Sequence, residues 1–122
     1  MKKALTATVL AALIGFSSSS AFARSAPSDI YQPSGAKLVK MDKQGDGEYE
    51  VEYRLKGNDV RPLAKRVIQH AKARGFHIVE SEIERDDADL KFKRGDQELD
   101  VSIEQKGNGR IEYKADLDLD KN

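Results

Sequence analysis

The sequence predicts an α+β fold in two layers, with one amphipathic helix packed on an antiparallel sheet of about six strands in the order β-β-α-β-β-β-β. Two observations carry this. Apolar and charged residues alternate with a period of two over most of the chain after residue 37, and a single stretch between Asn58 and Gly75 switches to helical spacing.

The alternation is explicit in three segments. Tyr49, Val51, Tyr53 and Leu55 interleave with Glu48, Glu50, Glu52 and Arg54. Leu99, Val101 and Ile103 interleave with Asp100, Ser102 and Glu104. Ile111, Tyr113, Ala115, Leu117 and Leu119 interleave with Glu112, Lys114, Asp116 and Asp118. Each segment sends one face to a core and the other to water, as in an antiparallel sheet covered on one side.

Turn chemistry sets the expected registers. Gly95-Asp96 as a two-residue turn with glycine first places Lys93 opposite Glu98, Lys91 opposite Asp100, Phe92 opposite Leu99 and Leu90 opposite Val101. A hairpin centred on Asp86-Asp87 would pair Glu82 with Lys91, Glu80 with Lys93 and Ile83 with Leu90. A three-residue loop, Gly107-Asn108-Gly109, would align Ser102 with Lys114. A five-residue loop over residues 43–47 would pair Met41 with Tyr49, Lys40 with Glu50 and Val39 with Val51. Phe76 and Ile78 have the opposite parity to Val79 and Ile83, which calls for a β-bulge near Ile78-Val79.

The helical stretch has its own punctuation. Asn58 or Asp59 can cap its start, Pro62 suits a first turn, and Gly75 stands at its end. Val60, Leu63, Ala64, Val67 and Ala71 gather on one side and supply the cover that the apolar sheet face needs.

Three regions are expected: a cleavable Sec signal peptide at 1–23, a flexible leader at 24–36 and one α+β domain at 37–122. Lys2 and Lys3 precede an uncharged apolar run over residues 4–16, followed by serines and Ala21-Phe22-Ala23, whose small first and third positions suit signal peptidase. Thirteen apolar residues are too few for a stable transmembrane helix, so no anchor is expected after cleavage. A periplasmic or secreted location follows, of Gram-negative type. Residues 24–36 (RSAPSDIYQPSGA) are rich in Pro, Ser and Gly and read as a leader, on which Ile30 and Tyr31 are the side chains able to dock.

Cleavage would leave 99 of the 122 residues and lower Lys+Arg from 21 to 19 against 21 Asp+Glu, a net charge of −2. That balance argues against nucleic-acid binding. With no cysteine, the chain has neither disulfides, thiol catalysis nor Cys-ligated zinc.

Residues 42–53 resemble the calcium loop of EF-hands. Asp42, Gln44 and Asp46 stand at the first, third and fifth positions, Gly47 at the obligatory glycine and Tyr49 at the apolar eighth. The twelfth position, which should be a bidentate glutamate, is Tyr53. The likeness implies at most a weak calcium site through Asp42, Asp46 and Glu48. His70 and His77 lack any metal-ligand spacing, no cofactor is expected, and no serine sits in a Gly-flanked nucleophile elbow.

The helix itself is the stronger feature. Arg61, Lys65, Arg66, Lys72 and Arg74 face a single acid, Asp59, so this segment is +4 and the rest of the mature chain −6. Arg61, Lys65 and Lys72 form an outward stripe. Lys72 and Arg74 also suit the negative end of the helix dipole, whereas Arg61 sits near the positive end. The leading expectation is a non-enzymatic exported binding protein that meets an acidic protein or an anionic envelope component through Arg61, Lys65 and Lys72. A calcium module ranks second and a small hydrolase third.

Overall fold

The computed structural model describes residues 26–45 and 47–119. The expected signal peptide therefore lies outside the described residues. Strands β1 (Lys37–Lys43) and β2 (Glu48–Lys56) form a hairpin, followed by helix α1 (Arg61–Ala73). Strands β3 (His77–Ile83), β4 (Asp87–Arg94), β5 (Gln97–Gln105) and β6 (Arg110–Asp118) then run as a meander. The six strands make one antiparallel sheet in the order β1-β2-β6-β5-β4-β3. α1 carries the chain from β2 to the far edge, and the meander returns until β6 pairs with β2. The last strand is thus central, and β1 and β3 are the edges.

Burial follows the period-two pattern. Val51, Tyr53, Ala88, Leu90, Phe92, Leu99, Val101, Ile103, Ile111, Tyr113, Ala115 and Leu117 are buried on the sheet side. Val60, Leu63, Ala64, Val67 and Ala71 meet them from the helix. Each fully buried Val, Leu or Phe side chain contributes about 1.5–3 kcal/mol, which matters in a chain without disulfides. The core includes one aromatic stack, Tyr53 on Tyr113, with ring centroids 5.7 Å apart.

The β4–β5 and β5–β6 registers match the turn-based expectation, with Phe92 opposite Leu99 and Ser102 opposite Lys114. The bulge expected near Ile78-Val79 is present, and it leaves Val79 53% exposed.

Two hairpins differ from expectation by two residues. In the first, Gln44 N donates to Glu48 O at 2.8 Å, so the loop spans three residues rather than five. Met41 then faces Val51 and Lys40 faces Glu52, and a bulge between Leu38 and Lys40 leaves Val39 exposed instead of paired with Val51. In the second, Glu84 N donates to Asp87 O, so the turn residues are Arg85-Asp86. Glu80 faces Lys91, Glu82 faces Asp89 and Ile83 faces Ala88. A slip of two keeps every side chain on its proper face, so alternation alone cannot resolve it. The carbonyls of the displaced turn are used from outside it: Arg85 O accepts from Val60 N at 3.0 Å and Asp86 O from Gln105 N at 2.8 Å.

At the start of α1 the capping residue by position is Val60. Asp59 nevertheless serves the helix terminus, because its Oδ1 accepts from Arg61 N at 3.0 Å. At the other end Gly75 takes φ +91°, a left-handed conformation that closes the helix.

Residues 26–36, expected to be a flexible leader, are tied to the domain. Ile30 is 3% exposed, and Tyr31 O accepts from Tyr113 Oη at 2.8 Å. His70 Nε2 donates to Ser28 O at 2.8 Å, and its ring lies 5.6 Å from that of Tyr31. Asp29 accepts from Arg74 Nε at 3.1 Å and from Arg94 Nη1 and Nη2 at 3.2 and 3.0 Å. Arg94 also donates to Arg74 O and Gln97 Oε1, each at 2.7 Å, and lies over the Phe76 ring. Pro, Ser and Gly disfavour regular structure here but do not prevent anchoring, which runs through Ser28, Asp29, Ile30 and Tyr31.

Candidate functional site

The sequence-derived basic stripe divides in three dimensions. Arg61 forms a bidentate pair with Asp59, through Nε to Oδ1 at 2.9 Å and Nη2 to Oδ2 at 2.7 Å. The side-chain hydrogen bond from Arg61 lowers the Asp59 pKa to about 2, and Asp59 in turn raises that of Arg61. The charge of Arg61 is therefore matched locally. Arg74, at the far end of the helix, is matched by Asp29. Lys65 and Lys72 are exposed, two helical turns apart on the outer side of α1, and neither takes part in an ion pair among the described residues. The spacing signal found all three side chains but could not see that Asp59 would fold back onto Arg61.

The members of the calcium reading lie around the first hairpin. Asp42 is exposed near the end of β1, 3.9 Å from Lys40 Nζ, and sits opposite Glu50. Glu48 opens β2 opposite Asp118. Asp46 lies outside the described residues. Tyr53, at the position where an EF-hand would place its glutamate, is buried in the core and stacked on Tyr113. Among the described residues no three His, Asp or Glu side chains converge where a metal ion could sit. The two histidines are separated in role as well: His70 holds residue 28, and His77 is exposed on β3.

The uncovered face of the sheet is charged, with opposite signs at its two ends. At one end the cross-strand rows read Glu48–Asp118–Glu98 and Glu50–Asp116–Asp100 over β2, β6 and β5. Burial and the fields of Glu50 and Asp100 raise the pKa of Asp116. Cations flank these rows: Lys40 Nζ is 3.2 Å from Glu50 and Lys93 Nζ is 3.5 Å from Glu98. Lys91 stands opposite Asp100.

The other end carries a feature that sequence spacing did not single out. Lys37 lies directly opposite Arg54, and Lys56 directly opposite Arg110. Like charges in directly opposed positions destabilise a sheet by roughly 0.2–1 kcal/mol per pair. All four are exposed, and none takes part in an ion pair among the described residues. On its other side Arg54 stands opposite Glu112 of β6. The four cations line a groove of about 630 Å3, together with Leu55 and the turn residues Ser34, Gly35, Asn108 and Gly109. The signal was present as a change of sign along the polar face of two strands. β2 runs Glu48, Glu50, Glu52, Arg54, Lys56, and β6 runs Arg110, Glu112, Lys114, Asp116, Asp118. Antiparallel pairing of β2 with β6 then brings like ends together.

No family model matches the chain, and no curated protein matches it in sequence. Among the described residues no helix is long and apolar enough to cross a membrane.

Proposed function

We propose that this chain is an exported, non-enzymatic binding module of the periplasm or cell exterior whose partner is anionic, either an envelope component or an acidic protein. The observation that carries this reading is the outer side of α1. Lys65 and Lys72 project there with no ion pair among the described residues, while Arg61 and Arg74 at the two ends of the helix are held by Asp59 and Asp29. An unmatched pair of lysines on a rigid helix raises the local concentration of anions and is screened as salt is added. The export assignment rests on the tripartite pattern of residues 1–23.

Binding of the chain lacking residues 1–23 to vesicles containing anionic lipid, measured at low ionic strength, tests this reading. The Lys65→Gln/Lys72→Gln variant is expected to lose most of that binding, and added salt should erase the difference from the unsubstituted chain. Equal binding by both proteins at low salt would refute the helix-face reading. Arg61→Gln should have the smaller effect, since its charge already has a partner.

A further inference from the structure

The groove at the cationic end of the sheet continues into a second cleft. The two share Ser34, Leu55 and Lys56, and the second is lined by Tyr31, Pro33, Leu63 and Ile111 together with the charged Asp59 and Arg66. The shared residues join the two into one depression, with apolar surface beside the cations as well as in the second cleft. Four cations stand at one end, and a trough between residues 31–34, the end of β2 and the start of α1 forms the other.

We propose that this depression binds an amphiphile bearing a phosphate monoester, with the phosphate among Lys37, Arg54, Lys56 and Arg110 and the apolar tail along Leu55 into the adjoining cleft. Three features support the assignment. A phosphate monoester carries close to two negative charges at neutral pH, which answers two opposed cation pairs better than a single carboxylate does. Arg54 and Arg110 offer planar forks suited to phosphate oxygens, while Lys37 and Lys56 contribute compact point charges. The tail has somewhere to go, since Leu55 is shared by both clefts. Ser34 and Gly35 place the anchored 26–36 segment along one wall, so the site depends on the docking of that segment. Lys65 and Lys72 take no part, and the inference stands independently of the helix-face reading.

The test is titration of the chain lacking residues 1–23 with dihexanoyl phosphatidic acid below its micellar concentration. Inorganic phosphate and dihexanoyl phosphatidylcholine serve as comparison probes at matched ionic strength, with amide chemical shifts and calorimetry as readouts. Saturable binding of the phosphatidic acid is expected, at least tenfold tighter than either comparison probe. Shift changes should centre on Ser34, Gly35, Leu55, Asn108 and Gly109. Arg54→Gln/Arg110→Gln should weaken binding at least tenfold, and Lys65→Gln/Lys72→Gln should leave it unchanged. Relief of the two like-charge pairs offsets the loss of Arg54 opposite Glu112, so the first double variant should melt close to the parent and its loss of binding would not reflect unfolding. Equal affinity for inorganic phosphate and the phosphatidic acid would overturn the amphiphile assignment. Absence of saturable binding, or binding insensitive to Arg54→Gln/Arg110→Gln, would overturn the site.

Discussion

Asp29→Asn is the sharpest single probe of how residues 26–36 join the domain. The carboxylate side chain is 12% exposed and accepts from two guanidinium groups, one at the end of α1 and one at the end of β4. The substitution preserves shape while removing the charge and leaving an amide that can no longer accept at both ends. Hydrogen bonds to charged groups contribute about 1.5–3 kcal/mol each, and breaking a buried pair costs 3–5 kcal/mol. Here the arginine side chains remain 43% and 30% exposed, so both can rehydrate. The expected loss is therefore about 2 kcal/mol at pH 7, below the cost of breaking a fully buried pair.

The pH dependence supplies the stricter test. Burial pushes the Asp29 pKa up, but hydrogen bonds from Arg94 and Arg74 outweigh it and hold the pKa below its ordinary value of 3.8. A carboxylate depressed in the folded state stabilises the protein above its unfolded pKa and loses that contribution as pH falls through the folded one. Urea denaturation followed by far-UV circular dichroism should give a gap between parent and variant that is full at pH 7 and shrinks below about pH 4. Amide hydrogen exchange at residues 28–31 should accelerate in the variant at pH 7. An unchanged urea midpoint at pH 7, or a gap that stays constant down to pH 2.5, would refute the reasoning.

Two further outcomes follow from the core and the open face. Burial, reinforced by Tyr53 and Tyr31, raises the Tyr113 phenol far above its ordinary range, and burial raises Tyr53 too. In an alkaline spectrophotometric titration these two phenols should ionise late, Tyr113 only as the fold is lost, and Tyr113→Phe should remove about 1 kcal/mol with its bond to Tyr31 O. Asp116 has a raised pKa from burial and from Glu50 and Asp100, so its ionised form opposes folding at neutral pH and the penalty fades as pH falls. Asp116→Asn should accordingly stabilise by about 0.5 kcal/mol at pH 7, the scale of a like-charge cross-strand contact, with the gain vanishing on acidification; destabilisation in urea melts at pH 7 would contradict this.

What the sequence made legible was what period and turn chemistry control. Strand faces, the helix face and both glycine-bearing turns of the C-terminal meander were readable because a one-residue error there would bury charge. The two displaced hairpins show the limit of that logic, since a shift of two residues costs the faces nothing. Hydrogen bonds from Val60 N and Gln105 N to the turn carbonyls help hold the observed one, and these are tertiary facts. In residues 26–36 Ile30 and Tyr31 were legible as side chains able to dock, but the anchor at Asp29 was not. Asp29 looks like any loop aspartate until Arg74 and Arg94, 45 and 65 positions away, are brought to it. On the helix, Arg61 was found by spacing and then lost as a free charge to a neighbour two positions away.

The cationic groove connects these points, because it arises from pairing and not from spacing. Along β2 alone, Arg54 and Lys56 look like the ordinary solvated side of a strand, and Arg110 looks like a turn residue. Register makes them neighbours: β6 sets Arg110 against Lys56, and β1 sets Lys37 against Arg54. The carboxylate end of the same face is also crowded with like charge, yet there Lys40, Lys91 and Lys93 stand on the flanking strands and temper it. At the cationic end Glu112 stands opposite Arg54, while among the described residues no acid stands opposite Lys37, Lys56 or Arg110. One sheet face thus carries two like-charge clusters, the acidic one tempered from both flanking strands and the cationic one at Arg54 alone. An anion bound there would relieve Lys37 against Arg54 and Lys56 against Arg110 together, and that relief is what titration with the phosphatidic acid reads.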